Sequence, residues 1–141
     1  MSRSTVFLAR STGLFTIFTV LGVFIRGSAI IDATVADGPV MFCYAVTSLA
    51  AGVGMMVGHN VWSGGALAVV VTVVGWLTFA KGLLLLLLTP EALTGPLARM
   101  HYGEHTYFYL APAFVIGLYL TWASFAEPLQ GGLPRSPGTG A

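Results

Sequence analysis

The sequence predicts an all-α protein, a polytopic membrane bundle of four transmembrane helices, on three observations. Hydrophobic residues make up 56% of the 141 residues and charged residues only 8%. With a mean hydropathy of +0.86, that balance does not furnish the polar surface a water-soluble domain needs. The apolar residues also gather in four blocks, Gly13–Ile31, Pro39–Gly58, Ala66–Leu88 and Tyr107–Phe125. Each is near the ~20 residues a helix needs to cross about 30 Å of hydrocarbon. Finally, Leu83–Leu88 is an unbroken leucine run, without the alternation that a membrane β-barrel strand requires.

The first block follows Arg3 and Arg10, as the apolar core of a signal peptide would, but no clear small-x-small cleavage site follows it. It is expected to be a retained first span. Asp32, Asp37, Gly38 and Pro39 then predict a short polar turn, with Pro39 in the first turn of the second helix, where a missing N–H costs nothing. The second and third blocks are joined tightly by His59-Asn60-Val61-Trp62-Ser63-Gly64-Gly65. The longest connection, Thr89–Thr106, holds Pro90, Pro96, Arg99, His101, Glu104 and His105 and returns the chain to water or headgroups, with room for a short interfacial helix. Residues 127–141 form a Pro/Gly-rich C-terminal tail that cannot bury enough apolar surface to order itself alone. A partner would be needed to hold it.

Charge narrows the function further. Six Lys or Arg face five Asp or Glu, and no basic run exists to follow a phosphate backbone, which excludes nucleic acid as a partner. Cys43 is the single cysteine and lies inside an apolar block, so an internal disulfide, a CxxC pair and a cysteine-rich metal site are all excluded. With four spans, Arg3, Arg10 and Arg135 share one side, and Arg26 and Arg99 the other. The excess favours both termini in the cytoplasm of a bacterial inner membrane. That orientation puts His59 and Trp62 near the cytoplasmic face and His101 and His105 at the opposite one, so the histidines cannot meet.

Helices in lipid associate through small residues that let backbones approach. Ala50, Gly54 and Gly58 recur every four residues in the second block, with Ser48 and Gly52 as a second small pair, and Ala113, Gly117 and Thr121 do likewise in the fourth. These faces are expected to be buried, within the chain or against another subunit.

Few residues are placed to carry chemistry. Lys81 is the basic residue well inside a span, seven residues before Leu88, or about 10 Å along a helix. Its long stem lets the ammonium reach the headgroups, with Glu91 or Asp32 as partner, and this reading is preferred to transport or proton transfer. No Asp or Glu lies inside a span, which counts against proton-coupled export. His59, Asn60 and Trp62 predict an interfacial turn, with Trp62 in the headgroup belt and His59 hydrogen-bonded locally. The competing reading makes His59 an axial ligand for haem or a pigment, although no second histidine stands at a compatible depth. His101 and His105, four apart, would share a helical face with Glu104 nearby. Gly103 between them and the lack of a fourth ligand favour a polar loop over a zinc site. Met55 and Met56 are expected to be core filler. Tyr102, Tyr107, Phe108, Tyr109 and Trp122 are expected in aromatic belts at the two ends of the fourth helix.

The stretch Gly58-His59-Asn60-Val61-Trp62-Ser63-Gly64-Gly65, followed by Val71-Thr72-Val73-Val74-Gly75-Trp76-Leu77-Thr78-Phe79-Ala80-Lys81-Gly82-Leu83 and Pro90, resembles a family of small bacterial four-helix integral membrane proteins. The resemblance covers about Val40–Pro90. It implies that the His-Asn-x-Trp turn and the Gly-Trp-Leu…Lys-Gly segment belong together as one unit, and it implies no role for His59, Asn60, Trp62, Trp76 or Lys81.

The function expected from the sequence is that of a non-catalytic accessory or structural subunit of a larger membrane complex, of respiratory or photosynthetic type. The alternatives are a haem-, pigment- or lipid-binding protein using His59 and a small homo-oligomeric transporter using Lys81. No nucleophile, base and orienting group can be placed on one side of the membrane, so an enzyme is not expected. The identity of any cofactor is not legible, and the expected partners are the bilayer and other membrane subunits.

Overall fold

The computed structural model describes residues 2–89, 92, 93, 95 and 102–126, without the side chains of 102–104. The described chain is all-α, with α1 at Arg3–Arg26, α2 at Ala29–Ala36, α3 at Gly38–Gly58, α4 at Ala66–Leu87 and α5 at Tyr102–Ala126. Four helical stretches are long and apolar enough to cross a membrane: α1, α3, α4 and the His105–Ala126 part of α5.

The first helix differs from the block read in the sequence, starting at Arg3 and ending at Arg26 rather than running from Gly13 to Ile31. Ser2 supplies the start, its hydroxyl accepting the Thr5 N–H at 3.2 Å. Gly27 supplies the stop, with φ 78° and its N–H donated back to Val23, a conformation that glycine adopts without the Cβ penalty. Arg3 and Arg10 are therefore part of the helix. The expected polar turn around Asp32 is also corrected, because Ala29–Ala36 forms the short helix α2. Asp37 ends α2 and caps α3, its carboxylate accepting the Val40 N–H at 3.0 Å with Pro39 in the first turn.

Helices α3 and α4 correspond to the second and third blocks. The fourth helix begins earlier than Tyr107, at Tyr102, with non-helical dihedrals at His105 and Pro112 inside it. Pro112 lacks the N–H that would close its turn, a local weak point. Of the connection 90–101, Ala92, Leu93 and Gly95 are helical; the rest of the expected interfacial helix and the tail 127–141 lie outside the described residues.

The long helices form two antiparallel pairs. In the α3–α4 pair, Gly52 lies on the backbone of Phe79, Gly82 on that of Ser48 and Leu49, and Gly75 on Met55. Any Cβ at Gly52 or Gly82 would run into backbone, so these two glycines set how closely the helices approach. In the α1–α5 pair, Gly13 packs on Gly117 and Thr121, and Phe24 meets Tyr107 edge-on at the far end. The pairs join at the end where α1 and α4 begin and α3 and α5 finish, through a core of Ala9, Met55, Leu67, Val71 and Leu120. Toward the other end, an apolar crevice of about 320 Å³ opens along α1 and α5, bounded by Val20, Phe24, Tyr107 and Phe114.

Candidate functional site

The turn between α3 and α4 is tied to the start of α4 by several side-chain hydrogen bonds. It starts where His59 leaves helical geometry at φ −155° and ψ 86°, its N–H still donated to the Met55 carbonyl at 2.7 Å. It ends at Gly64 and Gly65, whose φ values of 95° and 125° are open to glycine and costly for other residues. The GlyGly pair therefore allows the chain to reverse into α4 within a few residues.

Two side chains then tie the turn down. His59 is only 3% exposed, and its Nε2 lies 3.3 Å from the carbonyl oxygen of Ala68 in the first turn of α4. A carbonyl can only accept, so Nε2 carries the proton in this contact. Thr72, 1% exposed, meets both backbone polar groups of Val61: its hydroxyl oxygen accepts the Val61 N–H at 3.1 Å and lies 2.9 Å from the Val61 carbonyl. The same hydroxyl is 3.1 Å from the Ala68 carbonyl, so its single proton is shared between two acceptors. The turn itself is exposed from Asn60 to Ala66, so these bonds tie its backbone to the buried His59 and Thr72 side chains, each contributing about 0.5–1.5 kcal/mol. Nearer the surface, the Trp62 indole donates to Asn60 Oδ1 at 2.7 Å, and Trp62 stays exposed at the helix end.

Sequence reasoning singled out His59, Asn60 and Trp62 and missed Thr72. The available signal was its position, a lone hydroxyl between Val71 and Val73 in an otherwise aliphatic stretch. In this fold His59 is a structural tie through Nε2, and the Nδ1 lone pair that remains belongs to a ring that is almost wholly buried.

Lys81 sits on the exposed side of the α3–α4 pair. Its partner is Tyr44, not Asp32: Nζ donates to the Tyr44 hydroxyl at 3.0 Å and lies 4.9 Å from the ring centroid. Glu91, the other expected partner, is outside the described residues. A second cation, Arg10, joins the two ends of the chain fold. Its Nη2 donates to the Ser124 carbonyl at 3.0 Å and its guanidinium lies 4.3 Å from the Phe125 ring centroid, placing positive charge at the C-terminal end of α5.

The small-residue faces divide. Gly117 is buried against α1, with Ala113 half-buried beside it. On α3 the face turned to α4 is that of Ser48 and Gly52, whereas Ala50, Gly54 and Gly58 are exposed and neither glycine has a neighbour within 4 Å of a built Cβ. Within the chain, the expected burial of that second face is thus corrected. The reason is register: residues contacting α4 follow Met41, Ala45, Ser48, Gly52 and Met55, roughly a third of a turn away.

Met55 is buried in the core, where its sulfur accepts the Thr12 hydroxyl at 3.9 Å. His105 begins the apolar part of α5 at the end opposite His59, while His101 and the Glu104 side chain lie outside the described residues. Among the described residues no three of His, Cys, Asp or Glu converge. Tyr107, Phe108 and Trp122 are exposed at the two ends of α5. Cys43 is exposed and unpaired with sulfur.

No family model, curated protein or solved structure matches the chain, and the resemblance over Val40–Pro90 gains no support from these comparisons.

Proposed function

We propose that this chain is a multi-pass integral membrane protein that serves as a non-catalytic accessory subunit of a larger membrane assembly. The observation that carries the reading is how little of each long helix the chain covers itself. Only 11–28% of the most apolar window of each is buried. Phe7, Phe15, Phe18, Ile25, Val57, Leu87, Phe108 and Trp122 are all at least 65% exposed and point away from every side of the fold. At about 25 cal/mol per Å² of apolar surface, no small polar surface offsets such exposure in water; hydrocarbon or other helices must cover it.

The subunit role rests on shape. The two helix pairs meet at one end, and the Ala50/Gly54/Gly58 face of α3 presents bare backbone of the kind that another helix approaches closely in lipid. Counted over the loops and chain ends, with the intramembrane Lys81 left out, Arg3, Arg10 and Arg135 outnumber Arg26 and Arg99, favouring a cytoplasmic position for the His59 turn and both chain ends in a bacterial inner membrane.

Purification in mild detergent tests this reading. Stable companion subunits are expected with the native protein, and Gly54→Leu, which fills the exposed face, is expected to release them. A chain that always elutes alone contradicts the accessory role. The burial of His59 gives the cofactor reading no comparable support.

A further inference from the structure

We infer that Lys81 and Tyr44 form a recognition site for the phosphate of an anionic phospholipid. The inference rests on the membrane reading above and adds a ligand to it. Lys81 is exposed, yet its helical neighbours at i−4 and i+3, Leu77 and Leu84, are apolar and exposed as well. The ammonium is therefore a single cation in a greasy surface. Neither α3 nor α4 contains an Asp or Glu, so nothing on these two helices neutralises it.

The geometry with Tyr44 is what turns a lone charge into a site. One Nζ proton goes to the phenol oxygen at 3.0 Å. Two ammonium protons remain, and the phenol, acting as acceptor in that bond, keeps its own proton to donate. Lys81 and Tyr44 thus offer donors from adjacent atoms, a match for two oxygens of one phosphate, and charge-assisted bonds of this kind are the strong ones. Contact with the Tyr44 ring at 4.9 Å also holds the ammonium beside α3.

Depth selects a lipid as the source of the phosphate. Lys81 is six residues from the end of α4 at Leu87, and Tyr44 six from the start of α3 at Gly38, about 9 Å inside each helix end. A lipid phosphate at the membrane boundary lies within reach of these side chains, while its acyl chains lie along Leu77 and neighbouring leucines. Asp37, the N-cap residue just before α3, is about 10 Å from Tyr44 at about 1.5 Å per residue and accepts the Val40 N–H.

Native mass spectrometry of the full chain, released from micelles containing phosphatidylglycerol or phosphatidylcholine of the same chain length, tests the site. Native protein is expected to retain phosphatidylglycerol about tenfold better than phosphatidylcholine. Lys81→Gln is expected to abolish the preference, Tyr44→Phe to reduce it and Lys81→Arg to keep most of it. Millimolar inorganic phosphate is expected to leave the bound lipid in place. Equal retention of the two lipids, or a preference unchanged in both Lys81→Gln and Tyr44→Phe, overturns the proposal. Displacement by inorganic phosphate overturns the lipid source, and a companion protein lost on Lys81→Gln without lipid selectivity assigns the cation to a subunit carboxylate instead. Should Lys81→Gln not fold, Tyr44→Phe and Lys81→Arg still decide. A chain that sediments with membranes but shows no lipid preference sinks this inference alone; one that does not sediment sinks the membrane reading as well.

Discussion

Thr72 and Val61, 11 residues apart, are joined at both polar atoms of the Val61 backbone through one hydroxyl, at 3.1 and 2.9 Å. That hydroxyl and His59 also converge on the carbonyl of Ala68. The turn between α3 and α4 is therefore held by the helix that follows it, and the α3–α4 pair behaves as a closed hairpin.

Replacing Thr72 by Val keeps the volume and removes the hydroxyl, leaving the Val61 N–H and C=O without their partner. Val61 is 38% exposed, so water takes over part of the tie and a loss of about 0.5–1.5 kcal/mol is expected, with Thr72→Ser recovering much of it. Reversible unfolding in mixed detergent micelles measures the difference; equal stability of Thr72→Val and the native chain contradicts the tie.

Glycines of the α3–α4 pair should separate sharply by face. Gly52→Ala and Gly82→Ala place a methyl against backbone across the pair and are expected to cost about 1–3 kcal/mol. Gly54→Ala, which meets open space, should leave the stability of the isolated chain the same or slightly raised through helix propensity. Melting temperatures of the three variants in one detergent give the comparison.

Arg10 is expected to hold the end of α5 to α1. Arg10→Ala removes the bond to the Ser124 carbonyl and the Phe125 contact, a loss of about 1–2 kcal/mol. Arg10→Lys should recover the charge without the flat stacking surface, and so only part of the stability. Cleavage by a protease near Ala126 should accelerate in the same order; identical rates in all three proteins speak against the contact.

His59→Ala is expected to destabilise the turn without any change in visible absorption, because the native imidazole is only 3% exposed and serves as a tie to Ala68 through Nε2. A Soret-type or pigment band in the native protein that disappears in His59→Ala would restore the ligand reading.

The helices were legible because their signal is cumulative: about twenty mostly apolar residues outweigh any local exception. Boundaries were less so. Gly27, rather than the polar residues after it, ends α1, and Ala29–Ala36 winds into a helix despite Asp32, since one charge facing outward does not oppose a helical turn. Lys81 stood out in the sequence as a charge among leucines, but its partner could not be read, because Tyr44 comes from α3 and the pairing depends on the register between two helices. The same dependence explains the α3 glycines. Both small-residue series were visible, and only the close seat of Gly52 on Phe79 shows which one meets α4.

Alkaline carbonate extraction of membranes carrying the chain tests the central claim most directly. Four helices whose amides bond among themselves and whose side chains face hydrocarbon should stay in the pellet, and detergent alone should release them. Recovery of the folded chain in the carbonate supernatant would contradict the account.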